Sequence, residues 1–484
     1  MRALRQTLNA VYRTRTGIGL GLLYALAFCF SAVHSSLVEP IHAQAVPDPM
    51  TQHYKAAQDS LRAGDQDRAA IEYQAFMGEA LHRVANARAL SGHPDEASRT
   101  FEEAMPFTGP DAATRLDYAS VLFDANRFKE ARPVAQLVVD AQPNNRKAHI
   151  LLGRINFEDK DYPAAREQFV AAGPGSLREV WRPLTMTYLR MQDLPAARTL
   201  LQRVIAILGD TPANRLSIAT AYYYGDYPDQ AILELKKILA GPSPPPEAHY
   251  FLGLAYLSRN EEAGYAKAMP EFRTALQLRP QDFASSYMLG YILFKQRNFD
   301  QAEQELDRAS SLNPNDAGTQ LLLGELYAET RRSARAEAAL QKLIAGSNPD
   351  APDNTSIRAH YMLGRLLRDE GKLEEGAAEI NKSEQLRRKL RLSSTDVSAS
   401  SVARGATRDS TEMDSSSGSH RLTLASARET AQAQDFIANL APAIGEAYYN
   451  LAALASQHHD SVTAAQYMQR ATAWDPSLAT GGQR

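Results

Sequence analysis

The chain is 484 residues long, 44% hydrophobic and 23% charged, with a formal net charge of -3. That apolar content is ample for a buried core, and the near-neutral balance argues against a nucleic-acid binder, which would carry a strongly basic face. By length alone roughly three ordinary domains would fit.

The N-terminus reads as a separate object. Arg2, Arg5, Arg13 and Arg15 precede an apolar run from Gly17 to Val33, Pro40 breaks the helix, and Ala43-Gln44-Ala45 places small residues where a signal peptidase needs them. The pattern predicts a secretory signal over residues 1–45, cleaved after Ala45. The alternative is an uncleaved membrane anchor, because the run sits at the short limit of a spanning helix. Finding Val46 as the first residue of the mature chain distinguishes the two. Positive charge before the run keeps the N-terminus cytoplasmic in both cases. The remainder is therefore expected to be exported: periplasmic, secreted, or anchored to the inner membrane facing the periplasm. The only cysteine, Cys29, lies inside the run behind the bulky Phe28, so lipidation is not expected. The mature chain would then have no disulfide, thiol nucleophile or cysteine metal site.

Beyond the signal one spacing organises the chain. Small residues in similar settings recur at Ala69, Ala97, Ala131, Ala165, Ala197, Ala231, Ala268, Ala302, Ala336, Gly376 and Ala464. Most neighbouring steps are 34 residues, with departures of 28, 32, 37 and 40 and one long gap before the last. A fixed period of this size predicts an all-α solenoid of stacked helix-turn-helix hairpins. In the clearest unit, Phe283 begins a first helix, Arg297-Asn298-Phe299-Asp300 forms the turn, and a second helix ends at Asn313-Pro314. Two antiparallel helices approach closely only where side chains are small. The spacing pairs Gly153 with Ala165, Gly253 with Ala268, Gly290 with Ala302, and Gly324 with Ala336. Prolines at 94, 163, 195 and 228 sit just before the key alanine, where the first helical turn has no N–H to lose.

Gly-Asp-Tyr-Pro-Asp-Gln-Ala (225–231) and the Leu-Gly pairs at 152–153, 252–253, 289–290, 323–324 and 363–364 closely resemble the tetratricopeptide repeat. Units begin near residues 50, 78, 112, 146, 178, 212, 246, 283, 317, 357 and 445. About ten of them form an array over 50–391. The resemblance implies a right-handed superhelix whose first helices line a concave groove for a peptide or protein partner. Carrying the family's groove offsets over names Tyr250, Leu254, Tyr287, Met288, Tyr291, Phe294, Leu321, Glu325, Glu329, Arg358, Tyr361, Arg365 and Arg368, with Tyr223 and Tyr224 extending the track. Tyrosine at one of these offsets is close to the repeat consensus, so the same residues also read as ordinary packing. The Lys and Asn pair by which chaperone-binding members clamp a terminal carboxylate is absent.

Unit 246 carries about three extra residues, expected in its inner turn between Arg259 and Lys267, and Gly346 to Ser356 lengthens a connection. Ser393 to Ser419 holds ten Ser and three Thr in 27 residues, so 392–422 reads as a disordered linker. The segment 423–476 is expected to hold one further helix and a final hairpin, followed by a tail over 477–484. A lone hairpin has too little core to stand alone. It either folds back on the array or docks on a partner, and fold-back is the simpler expectation.

No zinc helix, phosphate loop or nucleophile elbow occurs in the chain. His149, His249 and His360 share one repeat offset and read as packing residues. Glu102-Glu103 and similar pairs read as solvated helix faces. No catalytic residue, cofactor or metal is expected. The chain reads as an exported, non-enzymatic interaction scaffold in envelope assembly or secretion. The alternatives are a membrane-tethered assembly factor and an enzyme with an unrecognised active site.

Overall fold

The computed structural model describes residues 48–259, 261–350, 352–398 and 427–479. The expected signal with Cys29, most of the Ser/Thr-rich segment and the tail beyond Ala479 lie outside the described residues. Among the described residues there are 21 α-helices and no strand, an all-α solenoid of hairpins. The chain divides into two compact units, with the boundary inside one helix, Leu194–Leu208.

The terminal unit begins with α1 (Pro49–Ala63), α2 (Gln66–Leu90), α3 (Pro94–Thr108), α4 (Ala112–Asp124) and α5 (Phe128–Ala141). It continues through α6 (Arg146–Glu158), α7 (Tyr162–Ala171), α8 (Leu177–Arg190) and the start of α9 (Leu194–Leu208). The last two described helices, α20 (Ala427–Gln457) and α21 (Ser461–Trp474), also belong to it. The central unit holds the end of α9, then α10 (Pro212–Tyr224), α11 (Pro228–Leu239), α12 (Glu247–Arg259), α13 (Glu261–Leu278) and α14 (Phe283–Lys295). It closes with α15 (Phe299–Leu312), α16 (Ala317–Glu329), α17 (Ser333–Ala345), α18 (Asn354–Asp369) and α19 (Leu373–Ser398).

The hairpins share one turn chemistry. Five positions before the key small residue, one residue takes a left-handed backbone: Gly64, Gly92, Asn126, Lys160, Gln192, Asp226, Arg297, Arg331, Gly371 and His459. The next amide then reaches back over the helix end, as Arg127 N–H does to the Leu122 carbonyl at 2.8 Å and Asn298 to Leu293 at 2.9 Å. This is a Schellman closure, which favours glycine because a Cβ crowds the left-handed conformation. Replacing Lys160 (φ 64°) or Arg297 (φ 58°) by glycine removes that crowding. Either change should raise stability by a few tenths to about 1 kcal/mol, after the entropic cost of glycine is deducted. A urea midpoint that stays put or falls would show that the left-handed turn costs these residues nothing.

Close packing inside each hairpin departs from the expected glycine–alanine pairing. Ala165, Ala268, Ala302 and Ala336 are fully buried, but they are not what the glycines face. A Cβ at Gly290 or Gly324 would come within 2.8 Å of Leu306 or Leu340. At Gly153 or Gly253 it would meet the rings of Phe169 or Phe272 at 2.6 and 2.7 Å. Each glycine is thus a socket for the large residue one turn beyond the alanine. Chain direction explains the shift: the alanine sits nearer the turn, where the two backbones are closest, and the large side chain follows on the same face.

The structure also corrects three boundaries. Residues expected to loop out of unit 246 instead extend α13, which begins at Glu261. The helix of the last central hairpin runs to Ser398, so the first residues assigned to the linker are helical. Two of the sites of irregular spacing are fused helices. The second helix of unit 50 and the first of unit 78 form the continuous 25-residue α2, which removes a loop and accounts for the short step of 28. Likewise the extra helix and the final hairpin's first helix merge into the 31-residue α20, with Pro442 inside it.

These two long helices pack on each other. Tyr73, Phe76, Met77, Ala80, Leu81 and Val84 of α2 share one buried cluster with Leu440, Ile444, Ala447, Tyr448 and Leu451 of α20. The C-terminal hairpin therefore folds back on the first helices. Polar contacts ring the cluster: Tyr54 donates to Glu446 at 2.5 Å, and Asn450 donates to the Tyr73 hydroxyl at 2.9 Å. Glu103 of α3 is the hub. Its carboxylate accepts from the Tyr448 hydroxyl at 2.8 Å and from Trp474 Nε1 at 2.9 Å, and it faces Arg470 at 3.1 Å. Its neighbour Glu102 accepts from the Tyr118 hydroxyl at 2.8 Å. Glu103 is thus an anchoring carboxylate rather than a solvated one, whereas Glu102 is exposed as expected. The guanidinium of Arg88 lies 5.0 Å from the Trp474 ring centre.

Candidate interaction face

Hairpin stacking brings the first helices of successive central-unit repeats into contact, α10 with α12, α14 with α16, and α16 with α18. The face they make carries the residues singled out by the repeat offsets. Burial divides those residues sharply. Tyr223, Tyr250, Leu254, Tyr287, Met288 and Tyr291 are buried, Met288 completely. Tyr224, Phe294 and Glu325 are half-buried. The track opens at Glu329 on α16 and then along α18, where Tyr361 is 42% exposed and Arg358, Arg365 and Arg368 are exposed beside it.

The buried part is an aromatic lattice rather than an open surface. Phe251, which the offsets did not select, packs its ring 5.3 Å from Tyr250, 6.2 Å from Tyr223 and 6.4 Å from Tyr224. Tyr250 also meets Phe272 at 5.9 Å, and Phe283 stacks on Tyr287 at 6.2 Å. Lys295 sits over the Tyr291 ring at 5.4 Å. Burial, with the charges of Asp316 and Glu325 nearby, holds the Tyr287 phenol well above the usual tyrosine range. Among these contacts, Tyr223 and Tyr224 join one first helix to the next through Phe251, while the others lie within one helix or one hairpin.

Charge is ordered along the same face. Burial pushes the Glu325 carboxyl up, against the opposing pull of Arg358 and Lys295. Arg358 reaches it at 2.8 Å, and Arg297 reaches Glu329 at 3.8 Å. Burial also raises the Asp316 carboxyl, although it caps α16 by accepting from Thr319. The two acidic groups of α16 on this face are therefore committed to arginines.

The histidines do a different job. His149 bonds Gln168 at 2.8 Å and the Pro143 carbonyl at 2.9 Å. His249 bonds Glu271 at 2.7 Å and His360 bonds Glu379 at 2.6 Å. His53 with Glu72 at 2.8 Å and Arg215 with Glu234 at 2.8 Å occupy the same register. Each pair bridges the two helices of one hairpin across the repeat. The signal was present in the sequence as a basic or imidazole residue followed 19 positions later by Glu or Gln, or 22 positions later in the lengthened unit of His249, and it was missed because only the first member was read. Among the described residues no group of three or more His, Cys, Asp or Glu is placed to hold a metal ion. No described helix is long and apolar enough to cross a membrane.

Comparison with solved structures finds similarity to many helical-repeat chains. MamA from Desulfovibrio magneticus RS-1 is 26% identical, over 37% of this chain and 97% of that one, with a TM-score of 0.33. The protein pilF of Pseudomonas aeruginosa is 18% identical over 46% of this chain and 98% of that one, TM-score 0.36. A tetratricopeptide repeat protein from Parabacteroides merdae is 11% identical over 66% and 99%, TM-score 0.35. No curated protein matches the sequence significantly. Family models do match it in three stretches, 116–176, 261–352 and 357–390, and in each the model is that of the tetratricopeptide repeat.

Proposed function

We propose that the chain is a non-enzymatic scaffold that binds a protein partner on the first-helix face of its central unit, and that it works outside the cytoplasm in envelope assembly or secretion. The observation that carries the reading is the change along that face from a sealed aromatic lattice to the exposed Tyr361, Arg365 and Arg368. Tetratricopeptide repeats generally hold protein partners, and a tyrosine among arginines offers contact area, a hydroxyl and charge together. The basic, apolar and small-residue succession before Val46 supports export. The same reading holds if Gly17 to Val33 is retained as a tether.

Photo-crosslinking in cells tests the site. A crosslinker at position 361 should capture one discrete protein, whereas one at position 304, exposed on α15, should not. Equal capture from both positions, or capture only from 304, would remove the binding face from α18.

A further inference from the structure

We infer that the exposed strip of α18 is a docking site for an acidic segment of a partner protein. The inference rests on the scaffold reading above and adds the chemistry of the ligand. Arg358, Tyr361, Arg365 and Arg368 follow one another at three, four and three residues, so they share one side of the helix. Arg358 is held in place by Glu325 at 2.8 Å. Arg365 and Arg368 are not held in this way. Among the described residues no carboxylate lies within ion-pair distance of either guanidinium, and no acceptor bonds them. The stem of Arg368 lies against Gly376, where a Cβ would come within 2.5 Å of its Cγ. That contact fixes the direction in which the side chain leaves the helix.

Among the described residues Lys382, Arg387 and Arg388 on α19 are also exposed without a partner, and Asp369 lies four residues after Arg365 on α18; the cations that flank the strip are engaged. Lys389 on α19 is engaged by the Pro349 carbonyl and the Asp350 carboxylate, both at 2.9 Å. Lys372 is engaged by Glu370 at 2.9 Å and Glu337 at 3.6 Å. The acids of α16 that could have reached across, Glu325 and Glu329, are already paired. Two unpaired guanidiniums and a half-exposed tyrosine thus lie at the open end of a face whose aromatic part is buried. Their complement is a chain with carboxylates and some apolar surface, since guanidinium forks bind carboxylates in two-point contact and a tyrosine ring takes up apolar area. Arg358 and Arg365 lie roughly 10 Å apart along the axis at 1.5 Å per residue. An extended peptide covers that span in about three residues, so acidic side chains about three apart suit the strip.

The test uses the full mature chain and fluorescein-labelled, C-terminally amidated short peptides, so that charge comes from side chains alone. A Glu-rich peptide carrying one Tyr is compared with Lys-rich and Ser/Gly peptides of equal length, and with vesicles containing anionic lipid. The Glu-rich peptide alone should bind, and more weakly as salt rises. The double variant R365E/R368E should weaken it about tenfold or more. The charge-matched control R387E/R388E, at exposed positions of α19, should leave it within about twofold. Both variants should keep the parent's thermal midpoint within a few degrees. Equal loss in both variants would reduce the effect to net charge and overturn the proposal. If the Ser/Gly peptide binds as well, the acidic class falls while the scaffold reading stands. Binding of vesicles but no peptide would replace the partner protein with a lipid surface. If no probe binds, the acidic site is rejected, and capture from position 361 decides separately whether the scaffold reading survives.

Discussion

Replacing Glu103 by alanine should release the C-terminal hairpin from the first helices. The carboxylate accepts from Tyr448, whose ring is completely buried, and from the indole of Trp474, and it faces Arg470. Its removal leaves two donors without an acceptor in a poorly hydrated place, at about 1–3 kcal/mol each. The exposed half of the Arg470 contact adds little. A loss of about 2–4 kcal/mol in the terminal unit is therefore expected. The chain has two tryptophans, Trp181 and Trp474, and Trp181 is buried in α8. Red-shifted emission on substitution would therefore report Trp474, and limited proteolysis should cut first before α20. Glu103→Gln keeps an acceptor for both donors and should lose about 1 kcal/mol or less. If Glu103→Ala leaves the emission and the midpoint unchanged, the apolar cluster alone holds the hairpin. If Gln is as damaging as Ala, the charge matters rather than the acceptor.

Gly364→Ala should cost more than Gly290→Ala, although both place one methyl group in the same repeat position. At Gly364 the new Cβ would lie 2.7 Å from the Gly376 carbonyl oxygen, and a Cβ at Gly376 would lie 2.6 Å from the Gly364 carbonyl oxygen. Here backbone meets backbone, so relief requires the two helices to part. At Gly290 the obstacles at 2.8 Å are Cγ and Cδ2 of the buried Leu306, with its backbone N farther off at 3.4 Å, so side-chain repacking rather than parting of the helices gives relief. Alanine returns up to about 1 kcal/mol of helix propensity at either site. The net expectation is about 1–3 kcal/mol lost at Gly364 and near zero to about 1 kcal/mol at Gly290. Chemical denaturation of the two variants side by side checks this, and equal midpoints would refute the distinction.

What could be read in advance was what is local to one hairpin. A buried small residue at every key position follows from the close approach of two helices, and the spacing alone located it. The left-handed turn residue was harder to see, because Lys160, Gln192 and Arg297 adopt it without the glycine that usually announces it. Contacts between distant segments were invisible. Glu103 sits on an amphipathic helix like any solvated acid, and the groups that claim it lie hundreds of residues away. Fusion of two helices into α2 was signalled by the short step of 28 and by the absence of proline between Gln66 and Leu90, although Gly78 in the middle disfavours a helix. On the candidate face the offsets selected the right side of each helix, but not its accessibility. Tyr287 and Tyr361 occupy the same position in their repeats. The first is buried between neighbours on both sides, and the second, on the last first helix of the central unit, is open.

The docked C-terminal hairpin sets the order in which the protein can mature. Tyr73, Phe76 and Met77 gain their cover from Ile444, Tyr448 and Leu451, which leave the ribosome hundreds of residues later. At 5–20 residues per second, on the order of tens of seconds separate the synthesis of the two partners. Throughout that interval α2 holds an open apolar flank, so an early segment waits on a late one to finish folding, and a chain that stalls before α20 leaves that flank uncovered.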